Sequence, residues 1–387
     1  MNTEGSLHQW EELVRKQLKT DDLYGVLSKP NLEGLTVKPY YDASVASVGA
    51  LPKVEESPHL VSYYWGEQED SVLAYFIDRA VSGLSGKTLF IGDRALARVG
   101  MMEPENRYFC MADPIFENEK RLDEELGKTL LSRGFSRALG VDVALLQNAG
   151  ASMVQQVALA LAKVKELTEV FGAEVFGQLI LRVAVGGNYF FEIAKLRALK
   201  LAYNQLSKEF GLNEIPYLFV ETSMRNKSVY DEENNLIRST LEVASAMIGG
   251  GDAVFSGDFK LKASTALSRE TAFKQQILLA YESLINVFDD AAGGSYYVED
   301  LTLQIARRAW ADFLTIEESG GYLANLRNGR IQEAIYAQAL EEQKWVEEGK
   351  MKLVGVNLYP SREKQRSAES MYRKGEIRAV RLSEMFE

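Results

Sequence analysis

Apolar residues recur along this chain in two registers. Across 153–171, Val154, Val157, Leu161, Val164 and Leu167 fall three or four apart, which lays one stripe along a helix. Ile193, Leu196, Tyr203, Leu206 and Phe210 repeat the pattern, and Gly211 supplies a C-terminal stop. Residues 6–19 predict a further amphipathic helix with Trp10, Leu13 and Leu18 as its apolar positions, followed by polar, loop-like sequence to Gly34. Helical stretches at 301–318 and 330–347 precede a polar, arginine-rich tail. Between these periods lie short apolar runs that read as strands, at 60–65, 87–92, 107–113, 141–147, 178–185, 217–221, 251–255 and, most weakly patterned, 285–289.

Strands alternating with helices specify a parallel sheet with covering helices, and eight strands is the barrel number. The expected fold is therefore α/β: a TIM-type (β/α)8 barrel over 59–300. An N-terminal helical arm and connector occupy 1–58, the connector running from Pro52 to Pro58, and a C-terminal helical and linker extension fills 301–387.

Composition narrows the function classes. With 46% hydrophobic and 26% charged residues, the chain of 387 can bury a large core. A net charge of −11, without a basic cluster, opposes nucleic acid or an anionic membrane surface. No segment reaches membrane-spanning length and no leader pattern opens the chain, so a cytoplasmic protein is expected. Cys110 is the single cysteine and sits in an apolar run, which makes it a buried strand residue; His8 and His59 have no paired metal-ligand spacing. No metal site is expected.

Five blocks, in order, resemble methylmalonyl-CoA mutases. Glu33-Gly-Leu-Thr-Val-Lys-Pro-Tyr40 looks like the segment leading an arm into the barrel, and Asn188-Tyr-Phe-Phe-Glu-Ile-Ala-Lys-Leu-Arg-Ala198 like the helix after strand five. Ala292-Gly-Gly-Ser-Tyr-Tyr-Val-Glu299 resembles the segment after strand eight, while Val354-Gly-Val-Asn-Leu-Tyr359 and Ala379-Val-Arg-Leu-Ser-Glu-Met-Phe-Glu387 resemble late landmarks. The resemblance implies a substrate barrel that, in active chains, is followed by a cobalamin domain carrying Asp-x-His-x-x-Gly, whose histidine ligates cobalt. Neither His8 nor His59 can start that motif, so the cobalamin-binding domain is expected to be absent from this chain and adenosylcobalamin to sit on a partner subunit.

The substrate side departs from the family as well. Where the family has Tyr-His-x-Gln-Glu-Ala-Gly-Ala, with the histidine polarising the thioester carbonyl, this chain has Ala144-Leu-Leu-Gln-Asn-Ala-Gly-Ala151. Ala144 and Leu145 thus replace the tyrosine and histidine, and a leucine cannot give the hydrogen bond that is worth about 3 to 4 kcal/mol at a developing oxyanion. The arginine and serine presented to coenzyme A correspond to Gln178 and Ile180, and a cavity-lining glutamine to Glu221. Only about 80 residues separate Leu60 from Val141, which implies shortened entrance loops.

The expected role is the small, catalytically degenerate subunit of an adenosylcobalamin-dependent methylmalonyl-CoA mutase, an isomerase, in a heterodimer whose homologous catalytic partner binds the CoA ester. Gln147, Asn148, Gln178, Asn188 and Glu221 are the candidate lining of a residual cavity, and no catalytic residue is expected. An autonomous barrel enzyme is the alternative, with Lys260, Lys262 and Glu221 or Asp258 at the strand ends, although solvated loop charges account for both lysines more simply. A small-ligand assembly module is the third reading.

Overall fold

The computed structural model describes residues 3–79, 83–96, 102–360 and 367–387. Eight parallel strands form one sheet: β1 (His59–Tyr63), β2 (Ala74–Ile77), β3 (Thr88–Ile91), β4 (Arg107–Cys110), β5 (Leu139–Asp142), β6 (Leu179–Val185), β7 (Tyr217–Thr222) and β8 (Ala253–Phe255). Their order is β4-β3-β2-β1-β8-β7-β6-β5, with His59 opposite Ala253 where the first strand meets the last. The remaining seam, between β4 and β5, closes through Cys110 N–H to Arg137 O at 2.9 Å and Gly140 N–H to Ala112 O at 2.7 Å. Gly140 permits that closure, because a Cβ there would run into the Met111 carbonyl. The fold is a TIM-type (β/α)8 barrel.

The count of eight is right, but two of its members differ. Residues 285–289 are not a strand: they follow Leu284, whose φ of +52° breaks the ladder, and form turns with Val287 and Phe288 facing outward. The missing strand is β2, four residues buried on both faces and so without the alternation that marks a strand in sequence. It falls within the 60–141 interval, and so every later strand is numbered one higher than expected: Asn188 follows β6, not strand five. The 141–147 run also divides. β5 ends at Asp142, whose side chain accepts the Leu145 N–H at 2.9 Å, and Ala144–Asn148 turns into a short helix. A short apolar run does not by its periodicity distinguish strand from helix.

The helices match the periodic stretches closely. Met153–Phe171 starts at a Ser152 capping box with Gln155, and its stripe faces the sheet. Most of its other face is buried too, because Tyr296–Glu318 packs across it and across Tyr189–Glu209 as a third layer. Residue 300 lies inside that outer helix, and Leu301, Ile305, Ala309 and Phe313 join the same core as the barrel helices.

The N-terminal region divides in two. Thr3–Leu18 is helical, with Trp10 stacked on Tyr40 at 5.2 Å and Tyr24 donating to Glu11 at 2.6 Å, but Leu13 and Leu18 are exposed at 58% and 42%. Residues 33–51, by contrast, are strapped to the barrel's helices and to the turn before the outer one. Glu33 accepts the Met153 and Val154 N–H groups at 3.0 and 3.2 Å, Thr36 pairs with Gln304 at 2.9 Å, and Leu35 is buried. Further along, Val48 N–H reaches Glu299 at 2.9 Å and Leu51 N–H reaches Asp290 at 3.1 Å.

Candidate functional site

Barrel chemistry belongs at the C-terminal ends of the strands, where side chains two apart share the inward face. On β7 the inward residues are Tyr217, Phe219 and Glu221; on β6 they are Ile180 and Arg182. Below the mouth the axis is filled by aromatic rings. Phe90 stacks on Phe109 at 4.9 Å, Phe109 meets Tyr217 at 4.8 Å, Phe90 meets Phe219 at 5.0 Å, and Phe76 and Phe255 lie 5.6 Å apart. Ile180, at one of the positions that the resemblance gives to coenzyme A, is wholly buried among them. Arg107 and Arg137 lie over Phe109 and Tyr217 at the N-terminal end, 4.7 and 5.4 Å from the ring centres.

At the C-terminal end Arg182 stands 5.5 Å over Phe76 and gives two 2.8 Å contacts to Glu221, with Asp142 at 3.9 Å. Burial pushes the Glu221 carboxyl up and the Arg182 charge opposes it. Glu221 is therefore committed to an ion pair and does not stand free as an acid or base. Of the lysines of the alternative enzyme reading, Lys262 lies 4.6 Å over the Tyr230 ring, and the backbone N–H of Lys260 donates to Asp258 at 2.9 Å. Asp258 itself caps Ser264 and Ser268 at 2.5 and 2.8 Å.

Of the five candidate lining residues, the structure brings two together. Gln147 and Asn188 line a cavity of about 440 Å³, offset from the barrel axis and bounded by Glu33, Glu192, Arg225 and Trp345. Gln147 is held by Lys195 at 3.0 Å, and Lys195 is ion-paired with Glu192 at 2.6 Å. Asn148 is a latch: its side chain accepts from Met224 N–H at 2.9 Å and its carbonyl from Val380 N–H at 2.9 Å, tying the β5 and β7 loops to the tail. Glu221 is in the mouth, and Gln178 lies at the opposite, N-terminal end of β6, where its carbonyl accepts Ala138 N–H at 2.9 Å.

Sequence reasoning missed the charged residues that organise this region: Arg182, Lys195, Arg225 and Lys163. A usable signal was present. A lone charge in an apolar run such as Leu179–Val185, or on the buried stripe of Tyr189–Glu209, has to find a partner in the interior.

The profile of the family described as Methylmalonyl-CoA mutase matches residues 136–386. The chain belongs to the methylmalonyl-CoA mutase family. It is 33% identical over 238 residues to the methylmalonyl-CoA mutase small subunit of Porphyromonas gingivalis, covering 58% of this chain and 38% of that protein. The methylmalonyl-CoA mutase of Cereibacter sphaeroides is 32% identical over 226 residues, 55% of this chain and 32% of its own length. The small subunit from Propionibacterium freudenreichii subsp. shermanii is 30% identical over 245 residues, 58% and 37% of the two chains. The chain thus spans well under half the length of these relatives.

The family generally depends on adenosylcobalamin, and this barrel's donors can be compared with that need. His59 lies at the N-terminal end of β1 beside Glu55 at 3.7 Å, and His8 sits on the arm helix beside Glu12 at 3.5 Å. His59 therefore lies at the barrel end opposite the mouth and His8 is exposed on the arm helix, so neither imidazole stands among the mouth residues described above. Among the described residues no cluster of His, Cys, Asp and Glu could hold a metal, and no helix is long and apolar enough to cross a membrane.

Proposed function

We propose that this chain is the non-catalytic small subunit of an adenosylcobalamin-dependent methylmalonyl-CoA mutase. The partner is a homologous catalytic subunit that carries the cofactor and the CoA ester, in a cytoplasmic heterodimer interconverting methylmalonyl-CoA and succinyl-CoA. The observation that carries this reading is the aromatic filling of the barrel axis, with Ile180 inside it and the Arg182–Glu221 ion pair above it. An acyl-CoA mutase must admit its substrate and present donors to the thioester oxygen. Here Ala144 is buried and Leu145 offers only hydrocarbon.

The purified chain is expected neither to acquire the visible absorption of bound adenosylcobalamin nor to isomerise methylmalonyl-CoA, while the same chain mixed with the catalytic subunit gives an active complex. Turnover by the chain alone would overturn the proposal.

The arm supplies a second test. An isolated helix of 16 residues is marginal in water, and Thr3–Leu18 leaves Leu13 and Leu18 uncovered. Removing residues 1–28 should leave the barrel folded and weaken association with the catalytic subunit by at least about tenfold, or 1.4 kcal/mol. Cutting to residue 33 should cost about 1 kcal/mol more of barrel stability, because Glu33 caps a buried helix. Titration of each truncation against the partner, with thermal melts in parallel, separates the two effects. Equal dissociation constants for the 1–28 deletion and the intact chain would remove the arm from the interface.

A further inference from the structure

Five large apolar side chains that stand exposed fall within eleven consecutive positions: Leu278, Tyr281, Leu284, Val287 and Phe288, with Tyr281 at 69% and Phe288 at 64% exposure. They begin on the last turn of Ala266–Tyr281 and continue through the segment that failed to become a strand. The surface extends onto the neighbouring helix Glu232–Ile248. Thr240 bonds Gln275 at 2.8 Å across the two helices, and exposed Ile237 and Leu241 lie within a turn of that bond. Two uncovered aromatics amid aliphatic side chains are the kind of anchor that protein interfaces desolvate.

The charges around the patch narrow its occupant. Glu282 and Asp289 are exposed and make no ion pair among the described residues, whereas the nearby Lys274 is already paired with Glu270. A two-fold contact with a second copy would set these acidic edges against each other in a chain whose net charge is −11. A complementary surface is apolar and flanked by lysine or arginine. The patch also adjoins the arm's connector: Lys53 Nζ donates to the Asn286 and Phe288 carbonyls at 3.3 and 3.2 Å, and Leu51 N–H reaches Asp290 at 3.1 Å. One partner can cover both.

We infer that the 278–288 surface, with Ile237 and Leu241, is the seat of the catalytic mutase subunit, which meets it with an apolar face flanked by basic residues. This rests on the small-subunit reading above. The test titrates the intact chain, Tyr281→Asp/Phe288→Asp and Glu282→Lys/Asp289→Lys against the catalytic subunit of the same organism by sedimentation velocity, at low and at high salt. All four positions are exposed, so melting temperatures should match the unchanged chain. Both double variants are expected to bind at least about tenfold more weakly. Salt should weaken the intact pair more than the charge-reversed one. Folded variants that bind as tightly as the intact chain overturn the placement while leaving the subunit reading in force; an intact chain that does not bind the catalytic subunit overturns the subunit reading itself. Self-association of the intact chain, abolished by Tyr281→Asp/Phe288→Asp, would assign the surface to a second copy and overturn the stated occupant.

Discussion

Lys163→Met should lower the free energy of unfolding by about 3 to 5 kcal/mol at pH 8, and by much less at pH 5. Lys163 is fully buried and pairs with both Asp113 and Glu117, so its loss leaves two interior carboxylates without a counter-charge. Burial pushes Asp113 up to about 7 even with the ammonium opposing it, and the neighbouring Glu117 adds to the rise. A carboxyl raised above its unfolded value contributes stability that is present below the ordinary carboxylate range, near ~4, and lost as pH climbs through its folded value. In the unchanged protein that loss runs from about pH 4 to above 7, and Asp113→Asn should flatten it. In Lys163→Met protonation at pH 5 relieves the unpaired charge. Urea unfolding at the two pH values measures the difference, and an equal loss at both would show that the methionine disrupts packing instead.

Phe90→Ala should cost about 3 to 5 kcal/mol, because Phe90 is wholly buried and its ring meets Phe109, Phe219 and Tyr217 on the barrel axis. The space left would be lined mainly by the rings of Phe109, Phe219 and Tyr217, so a small aromatic such as benzene should bind there and raise the melting temperature of the variant alone. A variant that loses less than about 1 kcal/mol would mean that the rings pack too loosely to act as a plug.

What could be read from the chain follows from which positions carry periodic burial. Arg330–Glu347 and Met153–Phe171 were legible to the residue because their stripes are long and their ends are marked, in the second case by Ser152 and Gly172. β2 was not, since four residues buried on both faces carry no alternation. Residues 285–289 misled because an outward-facing apolar surface looks in sequence like an inward-facing strand; only the turn after Leu284 tells them apart. The expectation that Ala144, Leu145 and Ile180 stand where the family has substrate-binding groups rests on the resemblance alone, since burial and periodicity say nothing about which residue a relative carries there. The Arg182–Glu221 pair was not legible, because joining two residues 39 positions apart needs the register of β6 against β7, which sets Ala184 opposite Glu221.

The seam between β1 and β8 bears on how the chain is made. The β4–β5 seam joins Phe109 to Arg137, but the other joins His59 to Ala253. At about 5 to 20 residues per second on the ribosome, β1 waits on the order of 10 to 40 s for the strand that covers its open edge. Through that interval the nascent half-barrel presents unpaired backbone and the apolar faces of β1 to β4, a template for pairing with other chains. Slow late closure over so long a loop predicts that expression of this chain depends on chaperone supply more than its finished stability would suggest.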